Sequence, residues 1–129
     1  MLKERAYEYY KNKDCNCAEA IIRAANDEYD LGIDEKGLKS YGGFGSGMQS
    51  GSICGTVCGA MGAISAKEIE INAHKTESLA PECQAMMKGM REKFGTAFCT
   101  KLRAENYSKT DKCWKVVEGA AEILADIMK

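Results

Sequence analysis

Between Ser40 and Ala66 the chain runs for 27 residues without a charge and holds eight of its 13 glycines. A segment so uncharged cannot lie open to water along its length, so the rest of the fold must be built around it. Its first half, Tyr41-Gly42-Gly43-Phe44-Gly45-Ser46-Gly47, reads as a loop with unusual backbone angles or very close contacts. Its second half reads as a helix despite its glycines, with Cys54, Val57, Cys58, Met61 and Ile64 on one face. Gly55 and Gly59 form a pair four residues apart that lets another backbone approach closely.

The flanking sequence has helical period. Residues 17–30 space Cys17, Ile21, Ala24, Ala25 and Glu28 by threes and fours, and residues 113–128 carry the stripe Cys113, Val116, Val117, Ala120, Ile123, Leu124 and Ile127. Residues 81–94 start with Pro81 at the first helical position and stop before Gly95. Their Met86, Met87 and Met90 read as core packing. Shorter helices are expected over 2–12 and 97–106. No segment alternates with period two beyond Glu68-Ile69-Glu70-Ile71. The expectation is an all-α domain spanning 1–129, a compact bundle of about five to six helices with the glycine-rich loop in the middle.

Charge and hydropathy narrow the function. With 18 basic and 19 acidic residues, nothing favours nucleic acid as a partner. The start Met1-Leu2-Lys3-Glu4-Arg5 lacks the apolar core of a signal peptide, and the longest apolar run, Ile53 to Ala66, is 14 residues, too short for a bilayer. The expectation is a cytoplasmic protein without direct membrane insertion, in a compartment that keeps thiols reduced. The seven cysteines, an odd number, then suit metal or redox chemistry better than a disulfide scaffold.

Familiar motifs fail. A P-loop needs Lys-Ser/Thr after its last glycine, but Gly47 is followed by Met48-Gln49. A dinucleotide fingerprint needs a preceding strand and a sixth-position glycine, where Ser50 stands. His74 is the one histidine and sits among polar residues, which reads as a surface position and removes most zinc and cysteine–histidine arrangements. The basic residues from Lys101 to Lys115 are interrupted by Glu105 and Asp111, as on a solvated face. No CxxC is present, against both a thioredoxin-like dithiol and a zinc ribbon.

Helix starts select among the cysteines. Asn16, with Glu19 three residues on, reads as a cap that puts Cys17 in a first turn. Ser52 does the same for Cys54, Thr96 for Cys99 and Thr110 for Cys113. Free N–H groups at a helix start stabilise anions, so a thiol there is a better thiolate, nucleophile or metal ligand. Helix lengths allow the four starts to meet at one end of the bundle.

These four positions carry a resemblance. Asn16-Cys17-Ala18, Cys54-Gly-Thr-Val-Cys-Gly59, Phe94-Gly95-Thr-Ala-Phe-Cys99 and Cys113 resemble the redox-active protein family named for its C…CGAxxG…C…C signature, from about residue 15 onward. Thr56 departs from the signature alanine, Cys58 occupies a variable position, and Cys15 and Cys83 fall outside the four. The resemblance implies redox activity at Cys17, Cys54, Cys99 and Cys113, with an association with transport loci and no defined substrate. The leading expectation is an iron–sulfur cluster held by these four thiolates, for electron transfer or sensing. The alternatives are thiol–disulfide exchange by cysteine pairs, with Cys58 as a resolving thiol one turn from Cys54, and a soft-metal-binding module linked to transport. Cys15 and Cys83 read as ordinary structural thiols. The redox partner is unspecified, and the uncharged segment with Gly55 and Gly59 also suits a homodimer.

Overall fold

The structure, a computed structural model, describes residues 1–129. Seven α-helices make up the fold: α1 Leu2–Tyr7, α2 Cys17–Tyr29, α3 Glu35–Lys39, α4 Gly55–Glu68, α5 Leu79–Phe94, α6 Cys99–Asn106 and α7 Trp114–Ile127. There is no sheet, only two isolated antiparallel bridges. The all-α expectation is met with one helix more than the five to six anticipated. The addition is α3, five residues with Gly37 inside, too short to carry a periodic stripe. Asp34 starts it by accepting Gly37 N–H over 2.8 Å. The helix expected over 2–12 is α1 continued by a π-helical turn, Glu8–Asn12. Helix α5 begins at Leu79, so Pro81 stands third rather than first; it ends as expected at Gly95, whose φ of 79° suits glycine.

Helices α2 and α4 form the most extensive pair, and α1, α5 and α7 pack around them. Ile21, Ile22, Ile64, Met86, Met90, Val117 and Leu124 are fully buried between these helices, so Met86 and Met90 of α5 are core, with Met87 half-buried against it. Close approach comes from the α4 glycines. A Cβ on Gly59 would sit 2.8 Å from Ala18 O and 3.1 Å from Ile21 Cβ. The Gly55/Gly59 face is therefore spent on α2 of the same chain. Because the obstructing atom is backbone, Gly59→Ala should destabilise the fold by about 1–3 kcal/mol, measured as a lower urea midpoint.

The start of α7 is pinned to the N-terminal segment. Trp114 meets Tyr7 edge to face at 4.9 Å. Lys11 Nζ donates to Thr110 O over 3.1 Å and pairs with Asp111 at 3.0 Å. These contacts hold the α6–α7 turn against one end of the bundle, where α2, α4 and α6 also begin.

Candidate functional site

Each of the four singled-out cysteines stands at a helix start, although three of the expected caps are displaced. Asn16 caps α2 as read: its side chain accepts Glu19 N–H over 3.0 Å and Glu19 accepts Asn16 N–H over 2.9 Å, making Cys17 the first helical residue. Ser52 does not cap α4. Its backbone pairs instead with the 97–99 segment: Cys99 N–H donates to Ser52 O over 2.6 Å and Cys54 N–H to Ala97 O over 2.8 Å. Cys54 itself is the residue before α4. Thr96 accepts Phe98 N–H and so shapes the approach to α6, which opens on Cys99 after Phe98. Thr110 lies in a tight turn bridged between Ser108 and Lys112, and Cys113 directly precedes α7. Its N–H donates to the Tyr10 hydroxyl over 3.0 Å.

The glycine-rich loop closes over these thiols. Ser46, Gly47, Met48 and Gln49 all have positive φ (51°, 61°, 62° and 59°), a left-handed turn in which three of four residues have side chains. Each such non-glycine residue costs about 1–2 kcal/mol. The turn aims Ser46 N–H at the Cys17 sulphur. A Cβ on Gly47 would come 2.6 Å from Cys99 Cβ, and one on Gly55 would come 2.6 Å from Cys17 Sγ. Glycine at 47 and 55 is thus what lets loop and helix lie directly on the cysteines. The loop is a thiol cradle.

One cavity of about 310 Å³ is lined by Cys17, Cys54, Cys99 and Cys113 together. Leu102, Val116 and Val117 supply apolar wall, with Tyr10, Asn16 and Ser46 beside the sulphurs and Asp14, Arg103, Tyr107 and Lys112 exposed at the rim. Cys15 also lines this cavity, so the reading of it as an ordinary structural thiol missed its place; the signal was its position two residues before Cys17, across the capping Asn16. Cys58 does not line the cavity and lies near Tyr41 instead. Cys83, on α5, is also outside it. His74 is on an exposed turn, as read.

Electrostatics single out Cys54. Cys54 is 5% exposed and would ordinarily resist ionisation. Its thiol is nevertheless held below the usual range, chiefly by hydrogen bonding from Cys17, then by the Thr56 hydroxyl and the N–H groups of Thr56 and Val57, against the cost of burial. The hydroxyl of Thr56, fully buried, is in hydrogen-bond contact with Cys54 Sγ at 3.0 Å and donates when that sulphur is ionised. That residue entered the sequence reading only as a departure from a signature. Cys17 is driven the opposite way, first by sharing its proton with Cys54 and next by burial. Within the pair, the shared proton favours ionisation at Cys54 over Cys17. Burial raises Cys99 and Cys113, with Arg103 opposing in both cases. Burial also pushes Tyr10 up to about 12, so its hydroxyl stays protonated. No group of three or more His, Cys, Asp or Glu side chains is spaced to hold a metal ion.

Residues 15–127 match a family model described as "Putative redox-active protein (C_GCAxxG_C_C)". The chain belongs to this family. The match covers every cysteine of the cavity wall, from Cys15 to Cys113. Within the matched span, the stretch Cys54-Gly55-Thr56-Val57-Cys58-Gly59 holds two cysteines four residues apart. Geometry distinguishes the two cysteines of that stretch: Cys54 faces the cavity and Cys58 does not. No curated protein and no solved structure matches the chain.

Proposed function

We propose that this redox-active protein works by thiol–disulfide exchange, with Cys54 as nucleophile and Cys17 as its resolving partner. The observation that carries the reading is the placement of Cys17 and Cys54 on the wall of one cavity, with buried Cys54 in hydrogen-bond contact with the Thr56 hydroxyl at 3.0 Å and its ionisation eased chiefly by Cys17. A thiolate is the attacking species in exchange, and attack is fastest when the thiol ionises near ambient pH, where thiolate fraction and nucleophilicity balance.

The step balances within the pair and one disulfide, RSSR. Cys54 Sγ attacks one sulphur of RSSR; a Cys54–SR bond forms and one RS⁻ leaves. Cys17 Sγ loses its proton to that leaving thiolate and attacks Cys54 Sγ, forming the Cys17–Cys54 disulfide and expelling the second RS⁻. RSSR gains two electrons and the pair loses two. The reverse sequence passes the disulfide to a dithiol, and the partner's reduction potential sets the direction. Tyr10, protonated at the cavity wall, keeps a neutral donor beside the reacting sulphurs.

A second reading, an iron–sulfur cluster, is favoured by a separate observation: four helix-start cysteines share one cavity. The donor set matches such a group in residue type alone, since no three of these side chains are spaced to hold a metal ion as they stand. Cys17, Cys54, Cys99 and Cys113 would be its ligands, with Ser46, Thr56 and Val57 N–H groups beside the sulphurs. When bound, a cluster would supply one-electron transfer.

Anaerobic purification separates the two. Exchange predicts colourless protein with no stoichiometric iron or acid-labile sulfide, and a loss of two thiols on mild oxidation that dithiothreitol restores. Brown protein with stoichiometric iron and sulfide that resists thiol loss would replace it with the cluster reading.

A further inference from the structure

We propose that the cavity selects a small disulfide bearing carboxylate groups; this rests on the exchange reading above and adds the substrate class. Two independent features of the cavity point there.

The first is access. Cys54 is 5% exposed, at the floor of the cavity, so the disulfide must come to it. A volume of about 310 Å³ lies at the lower end for small-molecule sites. That volume admits a disulfide with short substituents, while one embedded in a folded protein would bring flanking chain with it. The apolar wall of Leu102, Val116 and Val117 suits the sulphurs and methylenes of such a molecule.

The second is charge at the rim. Arg103 and Lys112 both line the cavity, and neither forms an ion pair within the chain, in contrast to Lys11, Arg23 and Lys93. The Arg103 guanidinium lies over the Tyr107 ring at 5.0 Å, which fixes a planar, bidentate donor at the entrance. A carboxylate is the group that such a fork binds best. Asp14 opposes them from the segment before α2, leaving two cations against one carboxylate. A bound disulfide would place its carboxylate on Arg103 and Lys112 with its S–S bond toward Cys54. Exchange then proceeds as written above, and each departing thiolate carries its carboxylate back through the cationic rim.

The test compares two disulfides of similar size and opposite charge, dithiodiglycolate and cystamine, reacting with the reduced protein at low ionic strength. Each rate is divided by that of free dithiothreitol with the same disulfide, which removes differences in intrinsic reactivity. The normalised rate for dithiodiglycolate should exceed that for cystamine about tenfold, and Arg103→Gln/Lys112→Gln should bring the ratio to about one. Because the readout is a ratio within one protein, a uniform change in thiol reactivity cancels, and an unchanged urea midpoint for the variant shows that the cavity is intact. Equal normalised rates in the unaltered protein, or a ratio that survives the double substitution, would overturn carboxylate selection while leaving exchange standing. If neither disulfide oxidises the pair, the exchange reading falls and the selection with it.

Discussion

Cys54→Ser should remove the one thiol that iodoacetamide labels rapidly at pH 6.5. An ordinary thiol is about 1% ionised at that pH, whereas Cys54 is held as thiolate, so the fastest labelling phase should slow by about ten- to a hundredfold in the variant. The sign of the pH dependence follows from the depressed ionisation of Cys54. Its labelling should already be on a plateau below the usual thiol range and should fall only as pH drops through the lowered pKa. The other six cysteines are all raised, with burial among the chief causes, so their labelling should still be climbing at pH 9. Thr56→Ala then dissects the cause. It removes the hydroxyl that donates to Cys54 Sγ while leaving the Thr56 and Val57 N–H groups in place. A hydrogen bond to a charged group contributes about 1.5–3 kcal/mol, so the plateau should shift upward by about one to two pH units. A labelling profile unchanged by both substitutions would place the reactive thiolate elsewhere.

Cys17→Ser should convert a transient species into a stable one. With Cys17 present, the mixed disulfide on Cys54 is attacked by a sulphur already in contact with it, an intramolecular step with a large effective concentration. Without Cys17 no thiol of equal proximity remains. The Cys54–SR adduct should therefore persist at least about a hundredfold longer, visible as a single mass addition on the intact protein. The same substitution also removes a hydrogen-bond donor to Cys54, so Cys54 labelling should move toward the ordinary thiol range. Serine keeps a smaller donor at that position, which limits the shift. If the adduct clears as quickly in the variant, a different thiol resolves it; Cys15 is then the first to replace, because it shares the cavity.

Those expectations depend on features that were unevenly written in the sequence. Helices α2 and α7 were legible from their apolar stripes, and the end of α5 from Gly95. The cap at Asn16 was legible because a capping box is a local, two-residue device. Ser52 was not, since its backbone groups are taken by Gly47 and Cys99, partners five and 47 residues away that no local pattern reveals. The cysteines kept their places at helix starts because shifts of two to three residues in the caps moved the helix boundary but not the end of the bundle to which each start belongs.

The gaps in the site have similar causes. Ser46, Met48 and Gln49 do not announce positive φ, so the left-handed turn over the thiols was visible only as a glycine-rich loop of unspecified shape. Thr56 was conspicuous for failing to be alanine, which said nothing about the sulphur two residues before it. Cys58 and Cys54 share a helix face by period, yet Cys54 precedes α4 and lines the cavity while Cys58, inside the helix, does not. Spacing alone could not separate them.

The central claim is that Cys17 and Cys54 are the working redox pair, and disulfide mapping tests it most directly. The reduced protein is treated with one equivalent of dithiodiglycolate, remaining thiols are blocked in acid, and the digest is searched for cross-linked peptides. The account predicts one dominant link, assigned by fragmentation of the linked peptides to Cys17 and Cys54, with Cys15, Cys58, Cys99 and Cys113 recovered as blocked thiols. A dominant link between any other two cysteines would contradict it.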